Sequence, residues 1–344
     1  MAEAVKVCVL DDYQGVASSC ADWASLGDSV DVTFYSDNAD DWSTEWSAAL
    51  VERCVPYDVV VTMRERSRFP RAVLEQLPKL KLLCTQGGRN ASIDVGAASE
   101  RGIPVYGTSG KPWSTAELTW ALLLALAKKV PQEDAAMRAG GFMTALGTDL
   151  DGATLGCLGL GRLGGRVAAI GLAFGMRVVA WSQNLTEERC AEIGVEKVTK
   201  EELFAMSDFV SVHLVQSSRT IGLVGAAELA AMKPSACLIN TSRGPIVDEA
   251  ALVAALRDGT IGGAGLDTFE LEPLPRDHAL RSLPNTVLTP HVGYVTEATY
   301  EVFYGDTVAN IAAWRAGSEP ALTLPDTNLY RVHQVRLTDL PVAA

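Results

Sequence analysis

The sequence predicts an α/β protein built on parallel sheets, and three observations support this fold class. Short, continuously apolar segments, typical of buried parallel strands, alternate with helical patterns along most of the chain. Right-handed crossovers through those helices would place the strands side by side in parallel. With 344 residues, 48% of them hydrophobic and 21% charged, the chain is long enough for two domains and too apolar for wholesale disorder.

The N-terminal third carries a first series of strands. They are predicted over 5–10, 30–35, 57–63, 80–85 and 103–106, with helical patterns near 42–53 and 70–77. Residues 115–129 follow and are apolar nearly all round, which predicts a helix buried on more than one side. Pro131 ends that pattern.

A second series of strands and helices begins at Thr154. Strands are predicted over 154–159, 176–181, 208–213, 236–240, 262–266 and 286–289. Strands in this number, separated by helices, are typical of a doubly wound nucleotide-binding sheet. A last helix is predicted over 297–316, and the tail beyond it has little periodicity.

The charge and composition of the chain argue against binding to nucleic acid, to membranes and to metal ions. The net charge of −13 opposes binding to a nucleic-acid backbone or an anionic membrane surface. No segment approaches the ~20 apolar residues of a membrane span, and the N-terminus lacks the pattern of a signal peptide. The seven cysteines include no C-x-x-C pair, so we expect reduced core residues of a cytoplasmic protein and no metal site.

A glycine-rich loop follows the first strand of the second series. Gly159, Gly161 and Gly164 form G-x-G-x-x-G before a helical pattern over 166–174. Such glycines allow a tight turn, approach of a pyrophosphate to the backbone, and close packing of helix on strand. A tight turn without a ligand is the alternative, but the strand–helix–strand context favours a dinucleotide at the helix N-terminus.

The end of the next strand bears on the choice of cofactor. Ser182 occupies the position where a carboxylate often binds the ribose hydroxyls and repels a 2′-phosphate. We therefore expect NADP(H) to be accepted beside NAD(H), with a mild preference for NADP(H). The turn carries no lysine or arginine before Arg189, and Arg162 in the glycine loop is the candidate cation for the phosphate.

Three later loops carry candidate catalytic residues at the ends of predicted strands. These are Arg243, Glu272 and His291. Taken singly, each is more often a surface charge or a hydrogen-bonded structural residue. Together on one edge of a parallel sheet, they could bind a carboxylate, transfer a proton and hold an imidazole in one tautomer.

The chain resembles the D-2-hydroxyacid dehydrogenase family. The resemblance rests on GLGRLG, NTSRGPIVDE, LDTFELEP and TPHVGYVT, and covers about residues 80–317. It implies that Arg243 binds the substrate carboxylate and keto oxygen, that His291 is the acid/base, and that Glu272 is its partner. It also implies cofactor contacts by Leu163, by Thr241 and by Asp267, the last to the nicotinamide carboxamide.

The resemblance also implies an architecture. We expect a Rossmann cofactor domain over 109–292 and a flavodoxin-like substrate domain made of 1–108 and 293–344, with a cleft between them. Closure of that cleft by a hinge would exclude water from the substrate. The long apolar helix would support a homodimer.

Some residues depart from the family pattern or leave a choice open. The substrate-domain loop contains Gly87, Gly88 and Arg89, which we expect to contact the substrate, and Tyr294 could narrow its site. Arg64 and Arg66 follow the third strand. Surface ion pairing is the commoner arrangement for such residues, and contact with a distal acidic or phosphate group of the substrate is the alternative.

The sequence thus predicts an NAD(P)-dependent oxidoreductase that interconverts a small 2-keto acid and a D-2-hydroxy acid. One alternative is a formate or phosphite dehydrogenase on the same scaffold; Glu272 opposes the formate type, whose histidine is paired with glutamine. A second alternative is a non-enzymatic NAD(H)-sensing corepressor, which the net charge of −13 disfavours.

Overall fold

The computed structural model describes residues 3–40, 44, 46–320 and 322–324. The chain divides into two compact units, one made of Met1–Lys111 with Val295–Ala344 and the other of Pro112–Tyr294. Each unit contains one sheet in which every strand pair is parallel. The predicted fold class, α/β with two doubly wound parallel sheets, is confirmed.

The first unit has a five-stranded sheet in the order β2-β1-β3-β4-β5. Its strands are β1 (Val5–Val9), β2 (Val30–Phe34), β3 (Val59–Thr62), β4 (Leu82–Thr85) and β5 (Val105–Tyr106). Its first helices are α1 (Ala48–Cys54), α2 (Arg71–Leu74) and α3 (Val95–Glu100). Every residue of β3 and β4 is buried, as continuously apolar strands covered on both faces must be.

The second unit has a seven-stranded sheet in the order β12-β11-β10-β9-β6-β7-β8. Its strands are β6 (Thr154–Leu158), β7 (Arg177–Trp181), β8 (Glu196–Lys197), β9 (Phe209–Val212), β10 (Cys237–Asn240), β11 (Gly263–Leu266) and β12 (Thr286–Leu288). Its helices are α4 (Ser114–Ala127), α5 (Val130–Arg138), α6 (Arg162–Ala173), α7 (Glu187–Ile193), α8 (Lys200–Met206), α9 (Ala226–Ala231) and α10 (Glu249–Arg257). The edge strand β8 was not predicted, because two exposed charged residues have no apolar pattern.

The strand order of the second unit determines where a ligand can bind. The chain leaves β6 in one direction, toward β7 and β8, and then returns to place β9 on the other side of β6. Open α/β sheets bind ligands at such a reversal, outside the carboxyl ends of the strands. Because β10, β11 and β12 are neighbours, the loops after them also meet at one edge.

Helix α4 is buried within its own unit. Trp120, Leu122, Leu123 and Leu126 are almost fully buried, and a Cβ placed on Gly265 of β11 would lie 3.1 Å from the Leu122 Cβ. Leu118 and Leu124 are only half-buried and Ala121 is exposed, so contacts within the chain cover most but not all of the apolar surface of this helix. The homodimer predicted through this helix stays a prediction.

The last helix, α11 (Glu297–Arg315), belongs to the first unit. Its Thr307 hydroxyl accepts a hydrogen bond from Gln86 Nε2 at 3.1 Å, and its Asn310 Nδ2 donates to the Gly107 carbonyl at 2.8 Å. Residues 41–43, 45, 321 and 325–344 lie outside the described residues, including the start of the predicted helix at 42–53 and most of the predicted aperiodic tail. Among the described residues, no helix is long and apolar enough to cross a membrane.

Candidate active site

The three glycines after β6 differ in backbone conformation and in the atoms that an added Cβ would meet. Gly159 has φ 104°, and a Cβ there would lie 2.9 Å from the His213 carbonyl oxygen. Gly161 is the N-cap of α6, and a Cβ there would meet nothing within 4 Å. A Cβ at Gly164 would overlap the Gly159 carbonyl oxygen. The loop thus combines a left-handed turn, an open approach to the backbone, and close packing of α6 on β6.

This loop fits the pyrophosphate of a dinucleotide. Helix α6 has 12 residues, and no side chain caps its first N–H groups. Those N–H groups and the positive end of the helix dipole face the open space at Gly161. Arg162 is exposed in the first turn, and Leu163 packs against the core beneath the sheet.

His213 lies next to the glycine loop and was not singled out from the sequence. Burial lowers the pKa of His213 to about 4, and its Nε2 lies 2.9 Å from the Ser211 hydroxyl oxygen. A neutral imidazole adds no positive charge to the dinucleotide site. Its position directly after β9, the strand beside β6, was the available signal.

A cavity of about 750 Å³ lies at the carboxyl end of β7. Ser182 directly follows β7 and lines this cavity, and its predicted place near the ribose stays a prediction. Lys197 and Lys200 line it too, because β8 pairs with β7 and places Lys197 opposite Ala180. The turn after β7 carries no lysine or arginine before Arg189, and the unpredicted strand β8 supplies Lys197.

Both lysines have acidic partners. Lys197 Nζ lies 3.4 Å from Glu187 Oε1, and Lys200 Nζ lies 2.7 Å from Glu228 Oε1. Glu201 also lines the cavity, as does Glu202. The cavity therefore contains charges of both signs.

The loop after β10 presents Arg243. Asn240, the last residue of β10, is 1% exposed and donates from Nδ2 to the Arg243 carbonyl at 3.0 Å. The Arg243 guanidinium donates to the Ser242 carbonyl at 2.8 Å. The buried Thr241 hydroxyl lies 2.7 Å from the Thr119 hydroxyl of α4, which ties the loop to that helix.

Glu272 and His291 form a hydrogen-bonded pair. His291 Nδ1 lies 2.7 Å from Glu272 Oε2, with side-chain exposures of 13% and 22%. The other carboxylate oxygen, Oε1, accepts the Phe269 N–H at 3.1 Å. Because Nδ1 faces the carboxylate, Nε2 is the nitrogen that can exchange a proton with a ligand.

Asp267 holds the loop that carries His291. It is 1% exposed, and its Oδ1 accepts from the Thr289 hydroxyl at 2.6 Å and from the Val292 N–H at 2.8 Å. Its Oδ2 accepts from the Gly293 N–H at 2.9 Å. Burial raises the pKa of Asp267, and these donors oppose the rise. The predicted nicotinamide contact of this residue stays a prediction.

Tyr294 borders the acid/base pair. Its ring meets the His291 imidazole edge to face, with centroids 5.9 Å apart and planes at 74°. The phenol therefore covers part of the imidazole.

In the first unit, the predicted substrate loop follows β4. Gly87 has φ 84° and donates its N–H to the Thr108 hydroxyl at 2.7 Å. Gly88 and Arg89 are exposed, and their N–H groups have no acceptor among the described residues. An anion at this loop would thus meet the N–H groups of Gly88 and Arg89 and not that of Gly87.

The guanidinium of Arg64 lies against this loop. A Cβ on Gly87 would overlap Arg64 Nη1. The backbone of Arg64 is left-handed, with φ 53°, and its carbonyl accepts from Asn90 Nδ2 at 2.6 Å. Arg64 Nε also lies 3.6 Å from Glu65 Oε2, so the local ion pair and the loop contact coexist.

A glycine loop at a strand reversal and an imidazole–carboxylate pair on the same sheet are the features expected of a nucleotide-dependent oxidoreductase. The sequence profile of the D-isomer specific 2-hydroxyacid dehydrogenase NAD-binding domain matches residues 120–293. The chain belongs to the D-isomer specific 2-hydroxyacid dehydrogenase family. The family supports a nicotinamide cofactor and oxidoreductase chemistry on a CH–OH group.

Relatives and solved structures agree with this assignment. The chain is 42% identical over 258 residues to glyoxylate reductase of Aeropyrum pernix, covering 72% of this chain and 77% of that protein. It is 36% identical over 297 residues to D-3-phosphoglycerate dehydrogenase of Mycobacterium leprae, covering 86% of this chain and 54% of that protein. Phosphoglycerate oxidoreductase from Vibrio cholerae o395 superposes with a TM-score of 0.85 at 33% identity, covering 91% of this chain and 100% of that one.

Proposed function

We propose that this protein reduces a small 2-keto acid to the D-2-hydroxy acid, with Arg243, His291 and Glu272 as the catalytic residues. The observation that carries the proposal is the 2.7 Å pair of His291 and Glu272. It lies on the loops that follow β11 and β12, beside the loop of Arg243 that follows β10.

When bound, a nicotinamide cofactor supplies hydride for reduction and accepts it for oxidation. Arg243 binds the substrate carboxylate through two parallel N–H donors and polarises the keto oxygen. Protonated His291 gives its Nε2 proton to that oxygen as negative charge develops on it. Glu272 keeps Nδ1 protonated and stabilises the imidazolium. In oxidation, neutral His291 takes the hydroxyl proton instead.

The test is NADH and NADPH oxidation with glyoxylate, pyruvate, hydroxypyruvate and phenylpyruvate. In His291→Gln, kcat should fall ~10²–10⁴-fold, the usual cost of losing a general acid. Cofactor binding, followed by fluorescence titration, should be retained. A variant at wild-type speed would refute the role of His291. Tight NAD(H) binding with no turnover on any keto acid would favour the sensor alternative over an enzyme.

For the substrate, we propose a second acidic group recognised by Arg64, with Gly88 and Arg89 as further contacts. The support is the position of the Arg64 guanidinium against Gly87. One relative is named for glyoxylate, a keto acid without a phosphate group, and another for 3-phosphoglycerate, a hydroxy acid that carries one. In Arg64→Ala, kcat/KM for an acidic or phosphorylated keto acid should fall while that for pyruvate holds. Equal effects on both substrates would discard the proposal.

For the cofactor, we propose that NADPH is accepted with a mild preference over NADH. Ser182 carries no charge, and Lys197 lines the same cavity and can turn from Glu187 toward a 2′-phosphate. The glutamates of the cavity limit this preference. Lys197→Gln should lower kcat/KM for NADPH and leave that for NADH unchanged.

We also propose a homodimer, which the segment after α5 helps to form. Phe142, Met143 and Leu146 are 72%, 79% and 93% exposed, an unusual concentration of apolar surface. A second copy would cover it. Sedimentation velocity should show a dimer, and Phe142→Ser with Leu146→Ser should shift it to monomer. A wild-type monomer would refute this.

A further inference from the structure

Glu249, the first residue of α10, contacts the loop that carries Glu272. Its Oε2 accepts the backbone N–H of Glu270 at 3.1 Å. Its Oε1 lies 3.1 Å from His278 Nε2, and its side chain is 16% exposed. The Leu280 N–H donates to His278 Nδ1 at 3.3 Å, so the ring proton sits on Nε2 and points to Glu249.

The same stretch of backbone is held on a second side. A Cβ on Gly244 would overlap the carbonyl group of Phe269, so the loop of Arg243 lies directly on residues 269–270. The Phe269 N–H in turn binds Glu272 Oε1 at 3.1 Å. The backbone of residues 269–270 therefore contacts the Arg243 loop, the first residue of α10 and the Glu272 carboxylate that faces His291.

We propose that Glu249 is a positioning residue that holds the 269–272 backbone so that Glu272 reaches His291. This inference rests on the catalytic roles proposed above for Glu272 and His291. Without the Glu249 acceptor, the Glu270 N–H loses its anchor and the loop can move away from Gly244. A displacement of about 1 Å breaks the alignment of a 2.7 Å hydrogen bond, and misplacements of that size cost up to ~10²-fold in rate.

The test compares Glu249→Ala and Glu249→Asp with Asp248→Ala. Asp248 caps the same helix by accepting the Ala251 N–H at 3.0 Å, and within the described chain it forms no hydrogen bond or ion pair with residues 269–272. We expect both Glu249 variants to lose about tenfold in kcat with unchanged KM for the cofactor, since aspartate is one methylene too short to reach the Glu270 N–H. Asp248→Ala should lower the melting temperature and leave kcat unchanged. Glu249→Gln, whose side-chain oxygen can still accept the Glu270 N–H, should keep a kcat close to that of wild type and well above that of Glu249→Ala.

A double-mutant cycle with Glu272→Gln separates this inference from the proposed function. If Glu249 acts through Glu272, Glu249→Ala should add no further loss in the Glu272→Gln background. The same loss in both backgrounds, or a kcat in Glu249→Ala no lower than in Asp248→Ala, would overturn the positioning role. Glu272→Gln at wild-type speed would instead overturn the proposed mechanism itself.

Discussion

The surroundings of the Asp11 carboxylate predict how the free energy of unfolding of this protein changes with pH. Asp11 follows β1 in the first unit and is 1% exposed. Its Oδ1 accepts from Asn38 Nδ2 at 2.7 Å, and its Oδ2 accepts from the Ser67 hydroxyl at 2.9 Å. Burial raises the pKa of Asp11 from 3.8 to about 6 in spite of these donors. Its backbone is left-handed, with φ 61°.

The raised pKa means that ionised Asp11 destabilises the fold. Between pH ~4 and ~6 the native state binds more protons at this residue than the unfolded state, so stability falls as the pH rises through that window. A shift of roughly 2 pKa units corresponds to about 3 kcal/mol at neutral pH. Asp11→Asn removes the charge, and asparagine tolerates the left-handed backbone. Its amide can accept from Asn38 and donate to Ser67.

We therefore expect Asp11→Asn to unfold in urea with a free energy about 3 kcal/mol higher than wild type at pH 7.5. At pH 4.5 the difference in free energy of unfolding between the variant and wild type should be smaller by about 2 kcal/mol, because Asp11 of the folded wild type is then mostly protonated. Each comparison is made at one pH, so other titrating groups cancel. The exposed carboxylate of Asp28 gives the control, and Asp28→Asn should change neither value. An advantage that is the same at both pH values, or a wild type more stable at pH 7.5, would refute the reasoning.

Three further predictions concern the site. Arg243→Lys keeps the charge but loses the planar pair of donors, so kcat/KM for the keto acid should fall about 10–100-fold with an unchanged melting temperature; a near-normal value would place the carboxylate elsewhere. Ser182→Asp should lower kcat/KM for NADPH more than tenfold, ~1.4 kcal/mol or more, and leave kcat/KM for NADH unchanged. If the ratio of kcat/KM for NADPH to that for NADH does not change, Ser182 does not lie beside the ribose. Gly164→Ala forces a methyl group onto the Gly159 carbonyl, so the free energy of unfolding should fall by about 1–3 kcal/mol and NADH binding should weaken in fluorescence titration. If both stay at the wild-type value, α6 can move away from that carbonyl without cost.

Local patterns were sufficient for most of the secondary structure and for placing the candidate site residues on loops at strand ends. Strands such as β3 and β6 are continuous apolar runs because parallel strands are buried on both faces. The glycine loop is equally local, since its three glycines act within a single turn. Arg243, Glu272 and His291 stand out as candidates because each follows a predicted strand, and parallel strands bring their carboxyl ends to one edge.

What the sequence could not determine depends on partners far apart along the chain. Strand β8 has no apolar pattern and exists through pairing with β7, so the approach of Lys197 to the cavity at Ser182 is a tertiary fact. The same holds for the Thr108 hydroxyl that takes the Gly87 N–H, 21 residues away, and for Glu249, 21 residues before the N–H that it accepts. The sequence determined which groups are present and which strands present them. Only the tertiary structure decided which hydrogen bonds they form, because a donor's partner is set by proximity in space and not by separation along the chain.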